Sequence, residues 1–208
     1  DSDFMDEDAS AFPTIAKAHC AHGTTALCPT TMTCADSLLE KTIDLFLEAD
    51  KEPENGAELL GLHLEGPYFS AASKGAQPIG EQRIPEREDL ERILRRAKGS
   101  ILRWDAAPEL PNMELFAKVM AENGVLTSLA HSAATAPEAL RAFDWGFSHV
   151  THFYNACTTF HKKNGLVYSG IVEATYLRDD VTIELIGDGR HIPVSYTHLR
   201  AHETKANL

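Results

Sequence analysis

The sequence predicts an α/β fold, and within that class a partial (β/α)8 barrel with about six of the eight strands present. Three observations lead there. Short apolar runs of about four to six residues alternate with amphipathic segments of about a dozen, the pattern of βαβ units and a parallel sheet. Ionisable residues stand just past the C-terminal ends of several different runs, at Glu65, His131, His152 and His191, where (β/α)8 barrels gather their active-site groups. No Gly-rich dinucleotide fingerprint follows the first run, which argues against a doubly wound sheet.

Each element has a local reason. A helix is predicted over residues 10–22, where Phe12, Ile15 and Ala18 form an apolar stripe that Gly23 closes. Residues 24–27 read as a strand stopped by Pro29, and an amphipathic helix follows from Thr33 with Leu38, Leu39, Ile43, Leu45 and Phe46. Residues 59–64 form the second strand, ending in Glu65-Gly66-Pro67. A Gly- and Pro-containing stretch over 69–85 leads to a charged helix at 86–98. Strands at 101–104, 125–129, 147–151 and 181–186 complete the set of six. Helices opened by Pro111 and Pro137 separate three of them.

Composition narrows the function. Nineteen basic against 31 acidic side chains give a net charge of −12, the wrong sign for a nucleic-acid binder or for attraction to an acidic membrane surface. No run of ~18 apolar residues is present to span a bilayer, and no basic-plus-apolar leader is visible. Cys20, Cys28, Cys34 and Cys157 contain no CxxC pair, and four scattered thiols suit a reducing cytoplasm better than a disulfide framework.

The chemistry is expected from Glu65, His131 and His152. One carboxylate and two imidazoles, each at the end of a different strand, suit a divalent cation that takes N and O ligands, with a position left open for water. Any one of them alone is more readily structural; the shared strand-end position sets the three apart. By ligand type the ion could be Zn, Fe, Mn, Co or Ni. His63 lies on the same strand face as Glu65 and reads equally as support for the site or as a packed strand residue. His19 and His22 read as structural. His161, Lys162 and Lys163 form a basic cluster in an acidic chain, fitting either a phosphorylated ligand or a solvated loop.

Five ordered segments carry a family likeness. Gly61-Leu62-His63-Leu64-Glu65-Gly66-Pro67 with Lys74-Gly75-Ala76, then Ala130-His131-Ser132, Thr151-His152-Phe153-Tyr154-Asn155-Ala156 and Gly187-Asp188-Gly189-Arg190-His191 resemble the signatures of N-acetylglucosamine-6-phosphate deacetylases, of the metal-dependent amidohydrolase superfamily. The opening Asp3-Phe4-Met5-Asp6 and the Gly23-Thr24-Thr25 to Pro29-Thr30 run are similar too. The resemblance implies that Glu65, His131 and His152 bind the metal. It implies that Ala76, Gln77, Asn155, Ala156 and His191 contact the substrate, with Gln77 where the family often has His. Lys163, or Lys162 beside it, falls where the family often has an Arg for the phosphate; Lys keeps the charge and loses the bidentate fork.

The implied reaction hydrolyses the acetamide of N-acetylglucosamine 6-phosphate to glucosamine 6-phosphate and acetate. The implied setting is a cytoplasmic, homodimeric enzyme of amino-sugar catabolism. An Asp ending the last barrel strand would move the proton, and no segment here resembles it. The likeness stops near Pro193, so residues 1–194 are expected to form the partial barrel and residues 195–208 a tail unlike the family. A chain lacking the first and last strands is expected to be marginally stable and nearly silent in catalysis. The alternatives are an amidohydrolase acting on a related N-acetyl sugar, and a non-catalytic module that binds metal or sugar phosphate.

Overall fold

The computed structural model describes residues 3–78 and 80–195; residues 196–208, most of the expected tail, lie outside them. The chain opens with α1 (Ala11–Cys20), which buries Phe12 and Ala16. Two short pieces follow, β1 (Ala26–Leu27) and β2 (Thr30–Thr31), and then α2 (Asp36–Glu48), whose Leu39, Ile43 and Phe46 face the core. The next extended run is also in two pieces, β3 (Glu58–Leu59) and β4 (Leu62–Glu65). From there helices and strands alternate: α3 (Arg87–Ala97), β5 (Ile101–Ala106), α4 (Met113–Glu122), β6 (Leu126–Leu129), α5 (Ala136–Trp145) and β7 (His149–Val150). A hairpin of β8 (His161–Lys163) and β9 (Leu166–Tyr168), then α6 (Ile171–Tyr176), lead to β10 (Thr182–Ile183).

All six predicted strands are found. Five pairings, all parallel, join β2, β4, β5, β6, β7 and β10 into one sheet whose spatial order is the chain order. An order without reversal is the winding of a (β/α)8 barrel; a doubly wound sheet reverses direction at its ligand crevice. The helices follow the same sequence, α2 packing on α3, α3 on α4, α4 on α5 and α5 on α6. The main core lies between this helical layer and the sheet. Trp104 of β5 sits there against Tyr68 and Phe116, and its indole N–H donates to the Gly66 carbonyl at 2.8 Å.

Two strands break where one continuous run was expected. Pro29 does not end the first strand but interrupts it: β1 pairs with β3 before it and β2 with β4 after it. Proline lacks an N–H yet still accepts, and its carbonyl takes the His63 N–H at 2.9 Å, so the parallel alignment survives the gap. On the partner run the break falls at Gly61, whose φ of +152° is open to glycine and where a Cβ would lie 2.6 Å from Leu102 Cγ. Hairpin β8–β9 and helix α6 are additions to the expected set. The hairpin turns at Asn164-Gly165 with both φ angles positive, 53° and 79°, as a two-residue type I′ turn requires.

No helix among the described residues is long and apolar enough to cross a membrane. The four cysteines are free thiols.

Candidate metal centre

Glu65, His131 and His152 come from the ends of β4, β6 and β7 and converge. His131 Nε2 lies 3.0 Å from Glu65 Oε1, His152 Nε2 lies 3.2 Å from the same oxygen, and the two Nε2 atoms are 3.2 Å apart. Their far nitrogens explain why these atoms face inward. His131 Nδ1 is 3.1 Å from the Ser73 carbonyl and His152 Nδ1 is 3.0 Å from the Asn155 carbonyl. A carbonyl can only accept, so each Nδ1 carries its ring's proton and each Nε2 presents a lone pair.

Two imidazole lone pairs and a carboxylate oxygen at 3.0–3.2 Å repel one another unless a positive charge stands among them. The donor set, two nitrogens and one oxygen within 4.8 Å of each other, fits a borderline divalent ion. Without an ion, a proton takes over part of that task. Burial works to lower the His152 pKa, but hydrogen bonding to Cys157 and to Glu65 outweighs it and the group is pushed up to about 10. Burial works to raise Glu65; hydrogen bonds from His131 and His152 overcome it and hold the carboxyl well below the usual range.

The backbone is bent to aim the rings. His131 and His152 both have left-handed φ values, 45° and 36°, a region that few non-glycine residues occupy. The Phe69 ring packs on His131 with centroids 4.6 Å apart. Gly75 also passes close by, where a Cβ would lie 3.1 Å from His131 Cε1.

A cleft of about 470 Å³ opens over the three groups, lined also by Gly75, Ala76, Gln77, Asn155, Ala156 and His191. Five positions given a substrate role by resemblance are thus gathered beside the triad. Gln77 is buried, and its Oε1 accepts the Thr33 N–H at 2.8 Å, so its amide braces a loop as well as lining the cleft. His191 is held by Asp188: its Nδ1 lies 2.8 Å from Oδ2, and Oδ1 accepts the N–H groups of Arg190 and His191, both at 2.9 Å. Lys163 is on β8, and its side chain lies outside the described structure.

Met32 and Ile186 also line the cleft and carry no sequence signal beyond their apolar character. His63 points instead into the sheet's concave interior. There it meets Thr30, Arg103 and Asp105, with no hydrogen bond to Glu65 among the described contacts.

No family model matches the chain. Individual proteins do. An N-acetylglucosamine-6-phosphate deacetylase of Lysinibacillus sphaericus is 33% identical over 177 residues, 82% of this chain and 43% of that protein. An N-acetylgalactosamine-6-phosphate deacetylase of Escherichia coli O157:H7 is 29% identical over 191 residues, 91% of this chain and 49% of that protein. The crystal structure of N-acetyl-D-glucosamine-6-phosphate deacetylase from Mycobacterium smegmatis superposes with a TM-score of 0.84 at 26% identity, covering 95% of this chain and 50% of that one. The chain spans about half the length of the curated relatives it matches, and over that half it is similar in sequence and fold to N-acetylglucosamine- and N-acetylgalactosamine-6-phosphate deacetylases.

Proposed function

We propose that this chain carries the metal- and sugar-binding half of a deacetylase that hydrolyses the acetamide of N-acetylglucosamine 6-phosphate. The observation that carries the reading is the meeting of two outward-tied imidazoles on one carboxylate oxygen at the floor of an open cleft. Glu65, His131 and His152 would hold the divalent ion. Once bound, such an ion polarises an amide carbonyl and acidifies a water beside it. Two loops bring Ala76 with Gln77 and Asn155 with Ala156 to the sugar, and Asp188 keeps the His191 imidazole turned for hydrogen bonding. Lys163 is assigned to the phosphate through the resemblance.

Glu65 is the one carboxylate among the described residues that line the cleft, and it is committed to the histidines. By the resemblance, the group that moves the water proton is an Asp that no segment of this sequence resembles, and the chain by itself should bind without turning over. By the same resemblance the whole protein is a cytoplasmic homodimer. A variant of the M. smegmatis relative has been solved in complex with N-acetyl-D-glucosamine-6-phosphate, which supports the substrate class. The galactosamine epimer is the second reading, favoured by relatives named for it.

Calorimetry of the Zn-loaded chain with N-acetylglucosamine 6-phosphate, its galactosamine epimer and unphosphorylated N-acetylglucosamine tests both readings. Binding that needs metal and phosphate supports the proposal, and preference for the epimer selects the second reading. Equal binding of the unphosphorylated sugar would remove the phosphate from it, and rapid acetate release would return the proton-transfer group to this chain.

A further inference from the structure

Just beyond β5, in Ala106-Ala107-Pro108-Glu109, stands a carboxylate that neither the sequence motifs nor the cleft absorbs. Glu109 Oε2 accepts the Ser132 hydroxyl at 2.7 Å and Oε1 accepts the Ala133 N–H at 2.6 Å. The Ser132 hydroxyl oxygen in turn accepts the Ala134 N–H at 3.0 Å. These groups belong to the segment immediately after His131, where the chain leaves β6 through the left-handed φ of 45°. Ser132 and Ala134 are fully buried, so the Ser132 hydroxyl and the Ala134 amide cannot turn to water instead.

The remaining contacts set the direction. The Ser132 N–H donates to the Ala156 carbonyl at 3.0 Å, and the His131 carbonyl accepts the Ser70 N–H at 3.0 Å. The residue that carries the imidazole is thereby pinned from three sides: by the loop after β4, the loop after β7, and Glu109 after β5. The Glu109 oxygens are taken up by this duty and do not line the cleft over the triad.

We propose that Glu109 is a positioning residue of the metal centre. It holds the backbone of residues 132–134 so that the His131 Nε2 stays aimed at Glu65 Oε1 and His152 Nε2. This rests on the metal-centre reading and extends it to a residue that touches neither ion nor sugar. Groups that orient metal ligands from outside the coordination sphere are generally worth about 10- to 100-fold in metal affinity.

Co2+ binding tests it, because calorimetry gives the affinity and the visible absorption reports the ligand field of the bound ion. Glu109→Met keeps the volume and removes both acceptors; it should weaken Co2+ by at least about tenfold and change the band shape. Glu109→Gln retains a carbonyl for the Ala133 N–H, and its amide can donate to the Ser132 oxygen, so affinity should return close to that of the parent. Ser132→Ala, which removes one of the two contacts, should fall between them and serves if the Met variant does not fold. Urea unfolding of the metal-free proteins separates this from plain destabilisation. Variants that lose stability but bind Co2+ as the parent does, with an unchanged spectrum, overturn the proposal. A parent chain that takes up no Co2+ overturns the metal centre itself and this inference with it.

Discussion

The concave face of the sheet holds two clusters of converging polar groups, and they meet the same electrostatic problem in different ways. At the strand ends, Glu65, His131 and His152 turn acceptors toward one another. Below them, His63 in β4, Asp105 in β5, His149 in β7 and Glu184 beside β10 surround the Arg103 guanidinium. It donates to His63 Nδ1 at 2.8 Å, to His149 Nε2 at 3.1 Å and to Glu184 at 2.5 Å. Arginine cannot accept, so its shorter contact on each ring, at His63 Nδ1 and His149 Nε2, marks the nitrogen that accepts. His63 keeps its proton on Nε2, 2.9 Å from the Asp105 carboxylate, and His149 keeps its proton on Nδ1, 2.7 Å from the Thr182 hydroxyl. The lower cluster carries its own cation covalently. The upper one has only a proton on His152 that an entering ion can displace, and this is the physical reason to regard it as a site and the lower one as structure.

The sharpest way to break the contrast is to remove a ligand above. Glu65→Gln should abolish stoichiometric Zn2+ uptake, measured by metal analysis after gel filtration, and leave the cooperative unfolding of the metal-free chain in place. The complementary change below is Arg103→Met, which takes the nearby cation from the fully buried Asp105, leaving it His63, and removes a strong partner of Glu184. Breaking buried pairs of this kind costs about 3–5 kcal/mol; with Glu184 partly solvated, about 3 kcal/mol is expected in urea unfolding, with metal stoichiometry unchanged in the folded fraction. If Arg103→Met instead removed the metal and Glu65→Gln the stability, the division between the clusters would be reversed.

A pH titration sharpens the comparison further. The His152 proton is held up to about pH 10, so an entering ion must displace it. Zn2+ or Co2+ affinity should therefore rise with pH, by about tenfold per unit between pH 6 and 8, as calorimetry in buffers of different ionisation heat would show. In the metal-free chain the sign runs the other way. A pKa raised on folding gives stability that is complete below the unfolded value near 6.5 and is lost as pH rises through about 10. Metal should flatten that decline. The smallest effect expected is that of Gly75→Ala: a Cβ 3.1 Å from His131 Cε1, at a φ of +56°, should cost about 1 kcal/mol and loosen the metal without unfolding the chain.

Much of this was legible in the residues because it rests on periodicity. Six apolar runs became six parallel strands in order, and the polar residue after each of three runs became a member of the triad. What stayed hidden depends on backbone geometry. The Ser73 and Asn155 carbonyls that orient the histidines belong to loops, and any residue type supplies a carbonyl. Glu109 had the same strand-end signal as Glu65, but β5 runs on to Ala106, two residues past the end expected at Trp104, which put Glu109 out of register with the others. The β8–β9 hairpin did have a marker, Asn164-Gly165, lying between short runs too polar to read as strands.

The two carbonyls that hold the imidazole protons lie in the segments that also bring Ala76, Gln77, Asn155 and Ala156 to the cleft. Whatever stiffens those segments from the sugar side also stiffens the grip on the ion, and thermodynamic reciprocity requires the converse. A bound sugar phosphate should thus slow the escape of the ion to a chelator. A site built this way is most exposed to metal theft when nothing occupies its cleft.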